Sequence, residues 1–330
     1  MLTPVLKKLV SRFTGKSQKS LQREIYITAF GKHPGWNDHI DTIAPQTALH
    51  ADFKRILYVQ GIQSNIESGA WDKIQLQGNK LVDFNHTFLS FIPPCYLIGK
   101  LWSSTDGKGR SLYPMVVCFQ SMNVPLSWIL QEGLHELEYI KEECIKTSSA
   151  AMVQKILKQA ESRLRAGALS CEDQADVNTP TTDALRTLAD SKELGPDSEG
   201  LCRILYFLDK EVIRFITPGQ TGRIAKSVDG RINSKHLRIP VQSLALRESF
   251  ELWMALLRKE LQADLPLMMI FASEYSWMDL IIGDPTSLQL YCLRAPLENI
   301  PLTSSIPYPM DKNFIDGIQK KLNFDLCKNI

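Results

Sequence analysis

Three potential ligand or catalytic side chains lie close together between Gly31 and His39, a stretch with the sequence GKHPGWNDH that we term the first loop. His33, Asp38 and His39 offer imidazole nitrogens and a carboxylate, the donor types that zinc and iron accept in proteins. A metal-dependent or otherwise cryptic enzyme that uses these three residues is therefore one function that the sequence allows.

The spacing of these donors argues against a helical metal site. In the HExxH arrangement the two histidines lie four residues apart on one helix face, whereas His33 and His39 are six positions apart in a loop that contains proline and glycine. No second cluster of cysteine and histidine stands out to complete a closed site. The alternative is a turn in which Asn37 and Asp38 bond to the backbone, and this alternative predicts no metal and no cofactor.

Other catalytic signatures are missing from the sequence. Gly99-Lys100 is followed by Leu101 and not by the Ser or Thr of a phosphate-binding loop, and no GxGxxG or GxSxG motif follows a strand-like segment. Cys118 and His86 could form a nucleophilic pair, but a buried core cysteine is the simpler interpretation.

A second polar loop, Ser104–Arg110, lies between two apolar, β-rich runs, and this arrangement predicts a hairpin. Its Arg110 has a planar guanidinium that suits pairing with a carboxylate. We therefore predict that the first and second loops meet in space through Arg110, bound to Asp38 or Asp106.

Composition limits the class of protein. The 330 residues have a net charge of +2, which gives no global reason to expect a nucleic-acid partner. No run approaches the roughly 18 apolar residues that span a bilayer. Seven scattered cysteines form no CxxC pair and no disulfide framework. We therefore expect a cytoplasmic protein with reduced thiols and no integral membrane segment.

Charge and hydrophobicity divide the chain into four parts. Residues 1–23 are basic, which predicts a flexible tail with at most weak contact to a membrane surface. Residues 24–167 form a first α/β unit. Residues 168–200 are acidic and poor in large apolar side chains, so we expect a flexible loop or linker. Residues 201–330 form a second α/β part that packs on the first or continues it.

Hydrophobic periodicity predicts the elements that position the two loops. In the first unit it predicts strands at 25–30, 84–91, 96–102 and 112–119, a helix from a Thr47 cap to Gly69, and two helices within 126–165. In the second part it predicts strands at 203–208, 212–216, 267–271, 278–282 and 288–293, and helices at 244–261 and 312–324. The predicted fold class is α/β, with a layered mixed β-sheet flanked by helices.

Taken together, the two loops resemble motifs of the TagF family of type VI secretion accessory proteins. That family has a strand that leads into FGKLPxxGDF, and a later SxDxxGR motif followed by an aromatic-Pro pair. The matching residues are Phe30, Gly31, Lys32, Pro34 and Asp38 in the first motif, and Ser104, Asp106, Gly109 and Arg110 in the second, with Tyr113-Pro114 after it. The sequence departs from the pattern at His33, Asn37 and His39, and Tyr113-Pro114 falls one residue late, as in a divergent member.

The resemblance covers roughly residues 26–120 and implies a TagF-like fold. It also implies a non-enzymatic accessory or post-translational regulatory protein of a contractile secretion system, which acts by binding other proteins. A forkhead-associated-domain protein or another component of the secretion apparatus is the implied partner. The implied partner-binding or structural residues are Gly31, Lys32, His33, Pro34, Trp36, Asp38, His39, Ser104, Asp106, Gly109 and Arg110.

Overall fold

A computed structural model describes residues 22–43, 47–171, 194, 199–213, 232–241, 246–261 and 265–324. Its strands are β1 Glu24–Gly31, β2 Ile40–Ile43, β3 Asn85–Ile92, β4 Cys95–Ser103, β5 Pro114–Met122, β6 Lys235–Pro240, β7 Leu267–Ala272 and β8 Trp277–Ile282. They form one sheet of eight strands in the order β2-β1-β5-β4-β3-β7-β8-β6. Every neighbouring pair in this sheet is antiparallel.

Helices flank the sheet on both faces. The helices are α1 Ala48–Lys54, α2 Ser64–Glu67, α3 Ala70–Leu76, α4 Leu126–Trp128, α5 Leu134–Ile145, α6 Ala150–Ser170, α7 Glu199–Phe207, α8 Leu246–Leu261, α9 Ser287–Leu290 and α10 Lys312–Phe324. Segments of π-helix, Arg55–Gln63, Ile129–Gly133 and Leu208–Ile213, join α1 to α2 and α4 to α5 and extend α7. None of the described helices has the length and apolar character needed to cross a membrane.

Side chains that alternate along the strands enter two separate cores. Along β5, Val117 and Phe119 belong to the first core, whereas Val116 and Cys118 belong to the second. Residues of α4 to α8 cover the first core, and residues of α1 to α3 and α9 cover the second. Because both faces of the sheet are covered, its central strands are almost continuously apolar in sequence.

The two parts of the sequence contribute to the same sheet. β7 pairs with β3, in a register that runs from His86↔Ala272 to Phe91↔Leu267. β6, β7 and β8 therefore continue the sheet that β1 to β5 begin. The predicted α/β class with flanking helices is confirmed, and the sheet is antiparallel where a mixed sheet was expected.

Two strand predictions in the second part are wrong in the described residues. Residues 203–208 are helical, and Leu201, Ile204 and Leu205 are buried at helical spacing in α7. The segment 288–293 consists of α9 and a 3-10 turn, because Thr286 and Gln289 form a capping box that starts a helix.

Other differences concern short elements and boundaries. The sequence did not predict β2 or β6. Residues 212 and 213 of the strand expected at 212–216 end a π-helical segment. The other residues of that expected strand lie outside the described residues. Most of the predicted tail, 1–23, and of the predicted linker, 168–200, also lies outside them. The described ends of that linker belong to α6 and α7.

Side chains of α6 bond to a length of β1 whose outer edge pairs with no strand among the described residues. β2 pairs only with the end of β1, between Ala29 and Gly31. Ahead of that point, the amide of Ile27 donates to Glu161 at 3.1 Å, and Arg165 donates through Nε to the carbonyl of Ile25 at 2.7 Å. Two side chains of a helix thus occupy the hydrogen-bonding positions of a neighbouring strand.

A buried ion pair fixes the segment that follows β8. Arg238 of β6 has no exposed side-chain surface, and it binds Asp279 of β8 through Nε at 2.8 Å and Nη2 at 2.9 Å. Its remaining donors bond to the carbonyls of Cys292, Ala295 and Ile300. One guanidinium therefore joins two strands to the chain that runs beyond α9.

Candidate functional site

The first loop leaves β1 at Gly31, close against the start of β5. Gly31 has a φ of +106°, and a Cβ placed on it would lie 2.1 Å from the carbonyl oxygen of Pro114. That oxygen accepts the amide of Lys32 at 3.1 Å. Only glycine fits this contact, so the first loop is held beside the β4–β5 hairpin from its first residue.

A buried lysine joins the first loop to the second. The ammonium of Lys32 lies 2.7 Å from Asp106 Oδ2 and 3.2 Å from Asp38 Oδ1. Only 3% of the Lys32 side chain is exposed, and the carboxylate of Asp106 is fully buried. The sequence marked Lys32 as a motif residue but gave no signal that it would be the buried link between the loops.

Arg110 makes the second link. Its Nε donates to Asp106 Oδ2 at 2.7 Å, and its Nη2 donates to the carbonyl of Asn37 at 3.0 Å and lies 3.3 Å from Asp38 Oδ1. The prediction that the two loops meet through Arg110 is therefore confirmed. We call Lys32, Asp38, Asp106 and Arg110 the loop network.

Backbone groups complete the coordination of Asp106. Its Oδ1 accepts the amides of Lys108 and Arg110, each at 3.0 Å. Burial alone would raise the pKa of Asp106, but the bonds from Lys32, Arg110 and these amides hold that pKa well below its usual value. Bonds from Lys32 and His39 lower the pKa of Asp38 to about 2. Both carboxylates stay ionised at neutral pH.

His33 has a structural role in the first loop. Its Nδ1 accepts the amide of Gly35 at 3.0 Å, so its Nε2 carries the proton and donates to the carbonyl of Cys144 at 3.0 Å. The ring is buried, and burial lowers its pKa. Its edge contact with Trp36 has a centroid distance of 5.5 Å. His33 thus ties the first loop to the end of α5.

His39 lies on the outer side of the first loop. Its Nδ1 is 3.0 Å from Asp38 Oδ1, and its ring makes edge contacts with Tyr58 and Tyr113 at centroid distances of 5.8 and 4.9 Å. Because both nitrogens of His33 are bonded to the backbone, the ligand set His33, Asp38 and His39 is not assembled. His39 instead belongs to an aromatic cluster at the surface.

The remaining motif residues shape the backbone or the surface. Pro34 is exposed, and Trp36 and Ser104 are half-buried. Gly109 turns the second loop with a φ of +78° and has open space around it. Within the described part of the chain these four residues make no charged contact, so they contribute conformation and surface to the site.

The cluster with suitable metal-ligand geometry in the described part of the chain lies elsewhere. It consists of His236, Asp279 and Cys292, whose donor atoms lie within 4.8 Å of one another. Asp279 already accepts His236 at 2.7 Å and the guanidinium of Arg238 through both oxygens. That buried guanidinium would repel a second cation, so the cluster is a core ion pair and not a metal centre.

The possible nucleophilic pair is not supported either. Cys118 and His86 lie on β5 and β3, which are separated by β4. Burial raises the pKa of Cys118 well above its usual range and lowers the pKa of His86 to about 4. A buried thiol with a raised pKa is inert, so Cys118 acts as a core residue.

Replacing Lys32 with methionine tests whether the loop network holds the site together. The change leaves the carboxylate of Asp106 buried without its ammonium partner, so we expect Tm to fall by about 5 to 10 °C. Lys146→Met is the control, because it removes an exposed pair with Glu143 and should shift Tm by less than about 2 °C. Equal Tm values for the two variants in differential scanning calorimetry would contradict this role.

No family model matches the chain, and no curated protein matches it either. Its function is therefore inferred from the geometry of the two loops and from the resemblance of their motifs.

Proposed function

We propose that this chain is a non-enzymatic accessory or regulatory protein of a contractile, type VI secretion system that acts in the cytoplasm by binding another protein. One observation carries the proposal. Residues of both motifs that resemble the TagF family form a single loop network, with Lys32 and Arg110 bound to Asp38 and Asp106. Motifs about 70 residues apart in sequence thereby build one surface.

The electrostatics of the network suit recognition. A general acid or base works best when its pKa is near the working pH. The pKa values of Asp38 and Asp106 are both held low by fixed donors. The network therefore presents permanent charges in a fixed arrangement, which favours binding over proton transfer.

The outer residues of the site have the chemistry of a protein interface. Arg110, His39 and Leu112 are exposed, and Tyr113 is half-buried beside them. Arginine and tyrosine are enriched among the residues that dominate binding energies at interfaces. A forkhead-associated-domain protein or another component of the secretion apparatus, as the resemblance implies, is the partner that we propose.

A genetic experiment tests this function in the bacterium that encodes the chain. Deletion of the gene should change export by the secretion apparatus several-fold, and the wild-type gene should restore it. The Asp38→Ala/Arg110→Ala double variant should accumulate normally and fail to restore it. Arg247→Ala, which alters a half-buried arginine on α8 outside the loop network, should complement fully.

Copurification with tagged protein gives the biochemical counterpart. We expect a component of the secretion apparatus to be retained by the wild-type protein and by Arg247→Ala, and lost from the double variant. Unchanged export after deletion of the gene would overturn the proposal.

A further inference from the structure

We propose that Arg110 is the receptor for a single carboxylate on the binding partner, with an adjoining aliphatic group of that partner packed on Leu112 and Tyr113. This inference rests on the proposed function, because it specifies the chemistry of the partner at the same surface.

The guanidinium of Arg110 is held in place before any partner binds. Its Nε is bonded to Asp106 and its Nη2 to the carbonyl of Asn37, and its own amide donates to Asp106. The side chain is nevertheless 51% exposed. A long side chain that is already ordered loses little conformational freedom on binding, so Arg110 is preorganised for a partner.

One nitrogen of this guanidinium remains available. Among the described residues, Nη1 of Arg110 has no hydrogen-bond partner, whereas Nε and Nη2 do. Each Nη of a guanidinium has two N–H donors that can bind a carboxylate or phosphate in charge-assisted hydrogen bonds. The bonds inside the loop network thus leave the two donors of Nη1 for an anion.

The surrounding charges favour a carboxylate over a phosphate group. The exposed cations of the second loop are Lys108 and Arg110, and its only acid, Asp106, is buried. Asp38 is 70% exposed beside Arg110 and would repel a dianion more strongly than a monoanion. A carboxylate with one negative charge therefore complements this surface better than a phosphate.

An exposed leucine and a half-buried tyrosine follow Arg110 closely in the chain. Leu112, two residues after Arg110, is 55% exposed. Tyr113 is held against Tyr58 at a centroid distance of 5.7 Å and against His39 at 4.9 Å. Tyr113 thus reaches the loop network through His39, which contacts Asp38. A rigid tyrosine and an exposed leucine that follow a fixed arginine within three residues fit a protein segment that carries Asp or Glu next to an aliphatic residue.

A fragment titration followed by NMR tests this inference on the full chain without any secretion component. The probes are hexanoate, acetate and inorganic phosphate. Hexanoate should shift the Nε–Hε signal of Arg110 and the methyl signals of Leu112 in a saturable manner. It should bind more tightly than acetate, by roughly fourfold for each methylene that it buries. Phosphate should bind more weakly than hexanoate.

Two variants and one control identify the contacts. Arg110→Lys keeps the charge but loses the fork, and should weaken hexanoate binding at least about fivefold. Leu112→Ser alters an exposed side chain, so it should fold normally and remove most of the preference for hexanoate over acetate. Arg247→Lys should bind like the wild-type protein.

Equal binding of hexanoate by the wild-type protein and Arg110→Lys would overturn the inference, as would tighter binding of phosphate. The outcome is independent of the genetic experiment. If hexanoate fails to bind but deletion of the gene changes export as expected, only the carboxylate receptor is rejected. If hexanoate binds but deletion leaves export unchanged, only the secretion role is rejected.

Discussion

Replacement of Arg238 by methionine is expected to lower the free energy of unfolding by about 3 to 5 kcal/mol. The change leaves the carboxylate of Asp279 buried without its guanidinium partner and removes the donors to three backbone carbonyls. Because native proteins are stable by only about 5 to 15 kcal/mol, this loss is a large share of the total stability, and the variant should unfold at a clearly lower urea concentration. Urea unfolding followed by circular dichroism measures the change.

Two further variants separate charge burial from packing. Arg238→Met combined with Asp279→Leu replaces both ions with apolar side chains, and this double variant should recover a large part of the lost stability. Arg247→Met removes a partly exposed pair with Glu251 and should cost less than about 1 kcal/mol. A stability loss for Arg238→Met no larger than that of Arg247→Met would show that the buried pair does not stabilise the fold.

Acidification from pH 7 to pH 5 is the second change with a large expected effect. Burial lowers the pKa of both His50 and His86 to about 4, from an ordinary value of 6.5. Between these values the unfolded chain binds protons that the native chain does not, so stability falls as pH decreases through this window. For each histidine, the free energy of unfolding falls by about 2 kcal/mol between pH 7 and pH 5, and by about 3 kcal/mol once the pH is below both pKa values.

His50→Leu tests this titration with little disturbance. Both ring nitrogens of His50 are buried without a hydrogen-bond partner in the described structure, so leucine removes no bond. We expect the variant to be at least as stable as the wild-type protein at pH 7 and to lose about 2 kcal/mol less by pH 5. Identical stability curves for wild type and His50→Leu between pH 7 and 5 would contradict the prediction.

Local signals in the sequence were sufficient for much of the first unit. Thr47 caps α1 by accepting an amide from the first turn, as its position before an apolar helical pattern predicted. The β4–β5 hairpin also follows from two apolar runs around a polar loop with glycines. Signals of this kind depend only on neighbouring residues, so the structure that they predict does not depend on tertiary contacts.

Elements that depend on distant partners were not predictable. β6 has the polar residues His236 and Arg238, which bond to Asp279 of another strand, and Arg238 also bonds to three distant backbone carbonyls. α7 contains Ile204 and Tyr206, residue types that favour strands, but its buried residues follow helical spacing against the first core. In each case tertiary contacts decided the result against local preference.

The candidate site likewise combines contacts that the sequence predicted with contacts that it did not. The pairing of Arg110 with the first loop was predictable, because a guanidinium and nearby carboxylates suggested it. The bond from Lys32 to Asp106 joins residues 74 positions apart, and nothing in either local sequence indicates it. Similarly, the bonds of His33 to Gly35 and Cys144 could not be foreseen, so its imidazole suggested metal chemistry that the folded loop does not offer.

The contacts of α6 with β1 also restrict how this protein can be recognised. An open strand edge invites another polypeptide to extend the sheet, either as a ligand or during aggregation. Glu161 and Arg165 already satisfy the outward amide of Ile27 and the outward carbonyl of Ile25. An incoming strand would have to displace both side chains and a packed helix, so association along this length of β1 is suppressed.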